Sequence, residues 1–231
     1  MPSWKHNLEL GARRDGMIKY DWAPGMPFLG EFEGGRCFPQ VFSAPIDGPA
    51  PAMPSFTDDA IFAKEKKSLF QLVVVLDDLA DLPAAKAALS NVDALSGGEL
   101  SAEEATFIVH DFSNTSQSVL PPSECQCIIR VLTAPEYISA SALHPENAIH
   151  RPAPHFYNPN RIRDDIGRDK NFAILRPDRF IFAACRDRKE LEHAAGLIPE
   201  YLKSSSEYAA GEKNATEADK ERFKHYENLW G

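Results

Sequence analysis

Few side chains in this sequence are placed to do chemistry. His110-Asp111 closes an apolar stretch, and an imidazole beside a carboxylate has the parts of a general base and its orienting acid. His150 and His155 flank a proline-rich stretch that could line a cavity, with Phe156-Tyr157 beside them. Those two rings offer a face to a planar ligand, although packing in the core or along an arm is their ordinary use. No serine or cysteine is matched to the histidines as a nucleophile. What they allow is acid–base work in a small cofactor-free enzyme, an isomerase, dehydratase or ring-opening catalyst. The same histidines serve equally as surface or capping residues. The four cysteines, Cys37, Cys125, Cys127 and Cys185, form no C-x-x-C and no paired metal spacing. Cys125 and Cys127 stand two apart in a β-rich stretch, which puts them on one sheet face. No G-x-G-x-x-G, G-x-x-x-x-G-K-[ST] or G-x-S-x-G occurs, so the dinucleotide, phosphate-cradle and nucleophile-elbow signatures are missing. The chain alone is expected to bind no cofactor and no metal.

These residues must be held by elements. Residues 1–54 read as an extended arm, punctuated by Pro24, Gly25, Pro27, Gly30, Gly34, Gly35 and Pro39. Its aromatics, Trp22, Phe28, Phe32, Phe38 and Phe42, are costly to expose together, so the arm is expected to lie against the body or a partner. Residues 55–203 read as the domain. Leu69–Leu76 is a near-continuous apolar run, the pattern of a strand buried on both faces. Asp81 offers an N-cap and Pro83 suits a first turn, so a short helix over Ala84–Leu89 follows. Ala105–Asp111 and Cys125–Thr133 are further strands. Five prolines between Ala134 and Asp169 exclude a long helix and predict a loop with short helical turns. Phe172–Leu175 and Arg179–Ala184 flank the structural turn Arg176-Pro177-Asp178 as a tight hairpin. Asp187 then caps a helix whose apolar positions Leu191, Ala194, Ala195, Ile198 and Leu202 recur at about 3.6. Pro199 limits its regularity. Residues 204–231 form a polar tail, with Thr216 as the cap of a helix over Glu217–Leu229.

Strand, helix, strands, long connection, hairpin and helix make an α/β protein with a thioredoxin-like mixed sheet and flanking helices. In a redox protein of that fold a C-x-x-C stands where the first strand meets its helix, because the helix N-terminus favours the thiolate. Here the position reads Asp77-Asp78-Leu79-Ala80-Asp81-Leu82, and Lys170-Asn171 replaces the proline expected before the hairpin. The chain is therefore not a thiol-disulfide oxidoreductase.

The formal charge of -9 repels polyphosphates, and the basic runs Lys64–Lys67 and Arg161–Lys170 are interrupted by acids. Neither nucleic acid nor an anionic membrane is expected as a partner. The first residues lack the apolar core of a secretory signal and no run approaches the ~20 apolar residues of a membrane helix, so a cytoplasmic location is expected.

Three stretches add a resemblance: Gly34-Gly35-Arg36-Cys37-Phe38-Pro39-Gln40-Val41, Phe56-Thr57-Asp58-Asp59-Ala60-Ile61-Phe62 running into Leu69–Val74, and Leu175-Arg176-Pro177-Asp178-Arg179-Phe180-Ile181-Phe182-Ala183. Together they resemble the C-terminal region of phenol-hydroxylase-like FAD-dependent aromatic monooxygenases. In that family a separate N-terminal domain binds FAD, reduces it with NAD(P)H and hydroxylates a phenolic or polyketide-like aromatic. The resemblance implies a stand-alone C-terminal-type domain without the FAD domain. As such it is an accessory component of an aromatic or polyketide hydroxylation pathway in secondary metabolism. It would reach FAD and NAD(P)H only through a partner flavoprotein, or else form a homodimer. A truncated structural or dimerisation module is the alternative.

Overall fold

The computed structural model describes residues 28–46, 55–110, 128–133 and 157–213, with side chains as far as residue 203. Seven strands form one mixed sheet: β1 (Phe42–Pro45), β2 (Ser55–Phe56), β3 (Gln71–Leu76), β4 (Thr106–Val109), β5 (Ile128–Val131), β6 (Phe172–Leu175) and β7 (Ile181–Cys185), in the order β2-β1-β5-β4-β3-β6-β7. Among the described residues five α-helices accompany it: α1 (Thr57–Ile61), α2 (Leu82–Ala88), α3 (Val92–Leu95), α4 (Arg161–Ile166) and α5 (Arg188–Lys213). β3, β4 and β5 run parallel, and β6 and β7 return antiparallel beside β3. The parallel β3-α2-β4 unit, the antiparallel hairpin and the closing helix are the thioredoxin-like arrangement expected from the element order.

Every residue of β3 is buried, as its unbroken apolar run requires. Side chains alternate across a strand. Leu72, Val74 and Leu76 therefore join Leu82, Val92, Leu191, Ala194 and Ile198 of α2, α3 and α5, and Leu89 just after α2, on one face. Val73 and Val75 join Ile61 of α1 and Ile162 and Ile166 of α4 on the other. The helices α1 and α4 are too short to be stable alone, and this apolar contact is what holds them.

Local details differ from the sequence expectations in two places. Asp81 makes no side-chain cap; Asp78 caps instead, its Oδ1 accepting from Ala80 N at 2.8 Å, because a 3-10 turn over Leu79–Asp81 intervenes before α2. The final helix passes Pro199 and runs on to Lys213, crossing residue 204 without a break. A proline removes one intrahelical bond and crowds the preceding turn. Burial of Leu191, Ala194, Ala195 and Ile198 against the sheet offsets that loss. Its start is as expected: Asp187 Oδ1 accepts from Lys189 N at 2.9 Å and from Glu190 N at 3.0 Å. Thr216 and the helix expected over residues 217–229 lie outside the described residues.

The described part of the arm, residues 28–46, is integrated into the sheet. Phe28, Phe38, Val41 and Phe42 are buried, and β1 pairs with both β2 and β5. Ahead of β1 the arm runs beside β7: Leu29 N donates to Phe182 O, Gly35 N to Ile181 O, Phe38 N to Arg179 O, and Ile181 N to Arg36 O, all within 2.8–2.9 Å. The approach is so close that a Cβ on Gly34 would lie 2.5 Å from Phe182 O. The three quoted stretches thus meet in one buckle of arm, α1 and hairpin. Its centre is the ion pair of Arg179 Nε with Asp58 Oδ2 at 2.5 Å.

Candidate functional site

The parallel strands β3, β4 and β5 end at one edge of the sheet, the edge where open α/β sheets bind their ligands. Asp77, His110 and Thr133 stand there, one just beyond each strand. β3 meets α2 at the corner where a redox protein of this fold would carry its thiols. Here Arg163 of α4 fills that corner from the side. Its Nε and Nη2 donate to Asp77 Oδ1 at 3.1 and 2.8 Å, Nη2 also to Val75 O at 3.1 Å, and Nη1 to Lys170 O at 2.7 Å and Asn171 Oδ1 at 3.3 Å. All five guanidinium hydrogens are thereby used. Only 7% of the Arg163 side chain is exposed, against 76% for Asp77.

The peptide groups of this corner are used as well. Lys170 N donates to Gly167 O, Asn171 N to Cys185 O, and Val75 N to Asn171 O. A polypeptide arriving here finds no unpaired backbone group on residues 170–171. Sequence reading missed Arg163 as anything but part of an interrupted basic run. An arginine within that run carries no local signal of a bond to a carboxylate 86 residues away.

His110 closes β4, its backbone N donating to Leu76 O at 3.0 Å. Burial of the ring, helped by the positive charge of Arg163, lowers its pKa to about 4, while Asp77 and Asp164 pull the other way with less effect. The imidazole is therefore neutral at pH 7, and its Nε2 is buried without a hydrogen-bond partner. Asp111, His150 and His155 lie outside the described residues, as do Cys125 and Cys127. Of the catalytic candidates, then, the structure places His110 alone at this edge. Tyr157 is used structurally: its hydroxyl donates to Leu132 O at 2.8 Å and accepts from Phe42 N at 3.2 Å, tying β1 to β5.

Two clefts flank the Asp77–Arg163 pair. One, of about 590 Å³, lies over the ends of β4 and β5 with Val131, Thr133, Pro159, Asn160 and Arg168 in its walls beside His110. The other, of about 430 Å³, lies between the starts of α2 and α5, with Asp81, Asn171, Arg186 and Asp187 around it. Among the described residues no group of three or more histidines, cysteines or carboxylates could hold a metal. No helix among them is long and apolar enough to cross a membrane. The described thiols are no more promising. Burial raises the pKa of Cys37, and burial with the Glu190 charge pushes Cys185 up to about 12.

The hairpin turn is bonded internally. Arg176 Nη2 donates to Asp178 Oδ2 at 2.7 Å and Phe180 N to Asp178 Oδ1 at 3.3 Å, while Arg179 takes a left-handed φ of 71°. Pro177 sits in that turn between the paired ends of β6 and β7. Desolvation raises the pKa of Asp58 beneath Arg179, with Gln40 and Arg179 opposing it.

No family model matches the chain, and no curated protein matches it. Among solved structures it is similar to the crystal structure of yeast Sco1 with copper bound, at 14% identity over 73% of this chain and 93% of that one, with a TM-score of 0.37. The resemblance to phenol-hydroxylase-like monooxygenases is thereby corrected: neither a family model nor a curated protein links the chain to them. Of the three stretches, Gly34–Val41, Phe56–Phe62 and Leu175–Ala183 build the buckle that holds the arm to the hairpin, while Leu69–Val74 runs into β3.

Proposed function

We propose that this chain is a non-redox module of thioredoxin-like fold that works by binding, as an accessory component that holds a second molecule. The observation that carries the reading is Arg163: it occupies the corner where thiol chemistry would take place, pairs with Asp77 and takes the Lys170 and Val75 carbonyls, while backbone partners take the remaining peptide groups of residues 170–171. The described cysteines add support, because thiol exchange needs a thiolate and burial disfavours that form at both Cys37 and Cys185. Acid–base catalysis by His110 has less support. A base is best matched when its pKa lies near the working pH, and this imidazole sits far below it.

The test is a disulfide-reduction assay with the purified chain, an oligopeptide disulfide as substrate and dithiothreitol as reductant. The expected rate equals that of dithiothreitol alone. Acceleration that disappears in Cys37→Ser or Cys185→Ser would show that the chain is a redox catalyst and end this reading.

A further inference from the structure

Residues 29–38 of the arm form a strap along the outer edge of β7, at the end of the strand order opposite to β2 and β1. The strap can leave β7 without breaking a backbone bond of β1, which pairs with β2 and β5. Val41 is anchored separately: its O accepts from Thr57 N at 3.0 Å, and its N donates to Thr57 Oγ1 at 3.3 Å. Between strap and anchor stand only Pro39 and Gln40. A short link between separately anchored segments is where domain swapping hinges.

Opening the strap uncovers Phe28 and Phe38, which are buried in the closed form. It also frees the Ile181 N–H and the Arg179, Ile181 and Phe182 carbonyls, an edge that templates another strand. The closed joint is itself imperfectly satisfied. Arg36 Nε and Asp58 Oδ1 are buried without hydrogen-bond partners, which makes this joint easier to open than a fully bonded one.

The edge is selective about what takes the strap's place. Opposite Phe182 only a glycine fits, since a Cβ on Gly34 would lie 2.5 Å from Phe182 O. Beside it Lys170, with 8% of its side chain exposed, holds Nζ 3.7 Å from Glu33 Oε1, and Asp165 O accepts from Arg36 Nη1 at 2.8 Å. An incoming strand therefore needs an acid, a glycine and an arginine at the spacing of Glu33, Gly34 and Arg36, with rings for the places of Phe28 and Phe38. The strap of a second copy brings all of them in register.

We infer that the strap exchanges between two copies of this chain, each laying residues 29–38 along the β7 of the other, so that the edge of β7 is the interface of a swapped homodimer. Each contact of the closed form recurs across the two chains, and the two forms differ at Pro39–Gln40 and in the entropy of association. Exchange therefore grows with concentration, in competition with a tethered strap whose effective concentration is on the order of millimolar. It does not depend on what the thiol corner does.

Cys37 stands opposite Phe180 as an antiparallel bridge pair, bounded by the bonds from Phe38 N to Arg179 O and from Ile181 N to Arg36 O. That is the close, non-hydrogen-bonded kind of pair, within reach of a disulfide. The test mixes heavy-isotope-labelled and unlabelled full-length Phe180→Cys at about 1 mM, oxidises with diamide, and maps the disulfide-linked peptides by mass spectrometry. Peptides of mixed label joining Cys37 to position 180 are expected. A second measurement does not rely on that variant: deleting the exposed Gln40 shortens the link by about 3.4 Å, so the chain no longer seats its own strap in register. Analytical ultracentrifugation of the deletion variant is expected to show a dimer at least tenfold tighter than that of the parent. Linked peptides of unmixed label only, or a deletion variant that sediments as the parent does, would overturn the inference. Either outcome leaves the non-redox reading where the disulfide-reduction assay puts it.

Discussion

His110 makes the stability of the domain depend on acid in a way that can be worked out from its surroundings. The folded chain holds the ring near a pKa of about 4, against 6.5 for an unhindered histidine. Between those values the unfolded chain binds the extra proton and the folded chain does not, so stability rises with pH across that window and is lost as pH falls through it. Going from pH 7.5 to 4.5, a shift of this size corresponds to about 2.5 kcal/mol, and residual contact of the ring with solvent trims it to about 2 kcal/mol. Carboxylates with shifted pKa values also contribute on the acid side, with opposing signs. Asp58 and Asp165 have raised pKa values and so favour the folded state as pH falls, whereas Glu104, Glu190 and Glu192 have lowered ones and do the reverse. The perturbation is therefore His110→Gln, and the quantity is a double difference: urea unfolding free energies of both proteins at pH 7.5 and at pH 4.5. The variant is expected to lose about 2 kcal/mol less than the parent over that interval. Equal losses in the two proteins, or a His110 ring resonance titrating near 6.5, would refute the argument that burial beside Arg163 keeps the imidazole neutral.

Arg163→Met removes the cation that ties Val75, Asp77, Lys170 and Asn171 together, and leaves buried carbonyls without donors. It is expected to cost about 3–5 kcal/mol in urea unfolding, with Arg163→Lys rescuing little because an ammonium lacks the planar fork; a loss below about 1 kcal/mol would mean the corner is held by packing alone. Gly34→Ala puts a methyl 2.5 Å from Phe182 O, so it is expected to destabilise the arm–β7 contact by about 1–3 kcal/mol and to speed hydrogen exchange at Leu29 and Gly35, and unchanged exchange there would sink the close-approach argument.

How much of this was readable in advance follows the range of the interactions involved. β3 and the β6–β7 hairpin were legible because an unbroken apolar run and a Pro-Asp turn are local patterns, and the start of α5 was legible because Asp187 caps it within three residues. The step from Asp81 to Asp78 as the capping residue was not, because both carboxylates fit the same local rule and the 3-10 turn over Leu79–Asp81 puts Asp78 at the start. β1 was hidden in a Gly/Pro-rich stretch, since it becomes a strand by pairing with β5, which comes more than eighty residues later. The absence of a redox pair and the thioredoxin-like order of elements could be determined from sequence alone, because both depend on residue identity and short-range periodicity. The tertiary structure decided what stands in the empty thiol corner. Arg163 reaches it only because α4 packs its Ile162 and Ile166 against Val73 and Val75 of β3, and a contact made by packing at that sequence distance leaves no mark on the residues between.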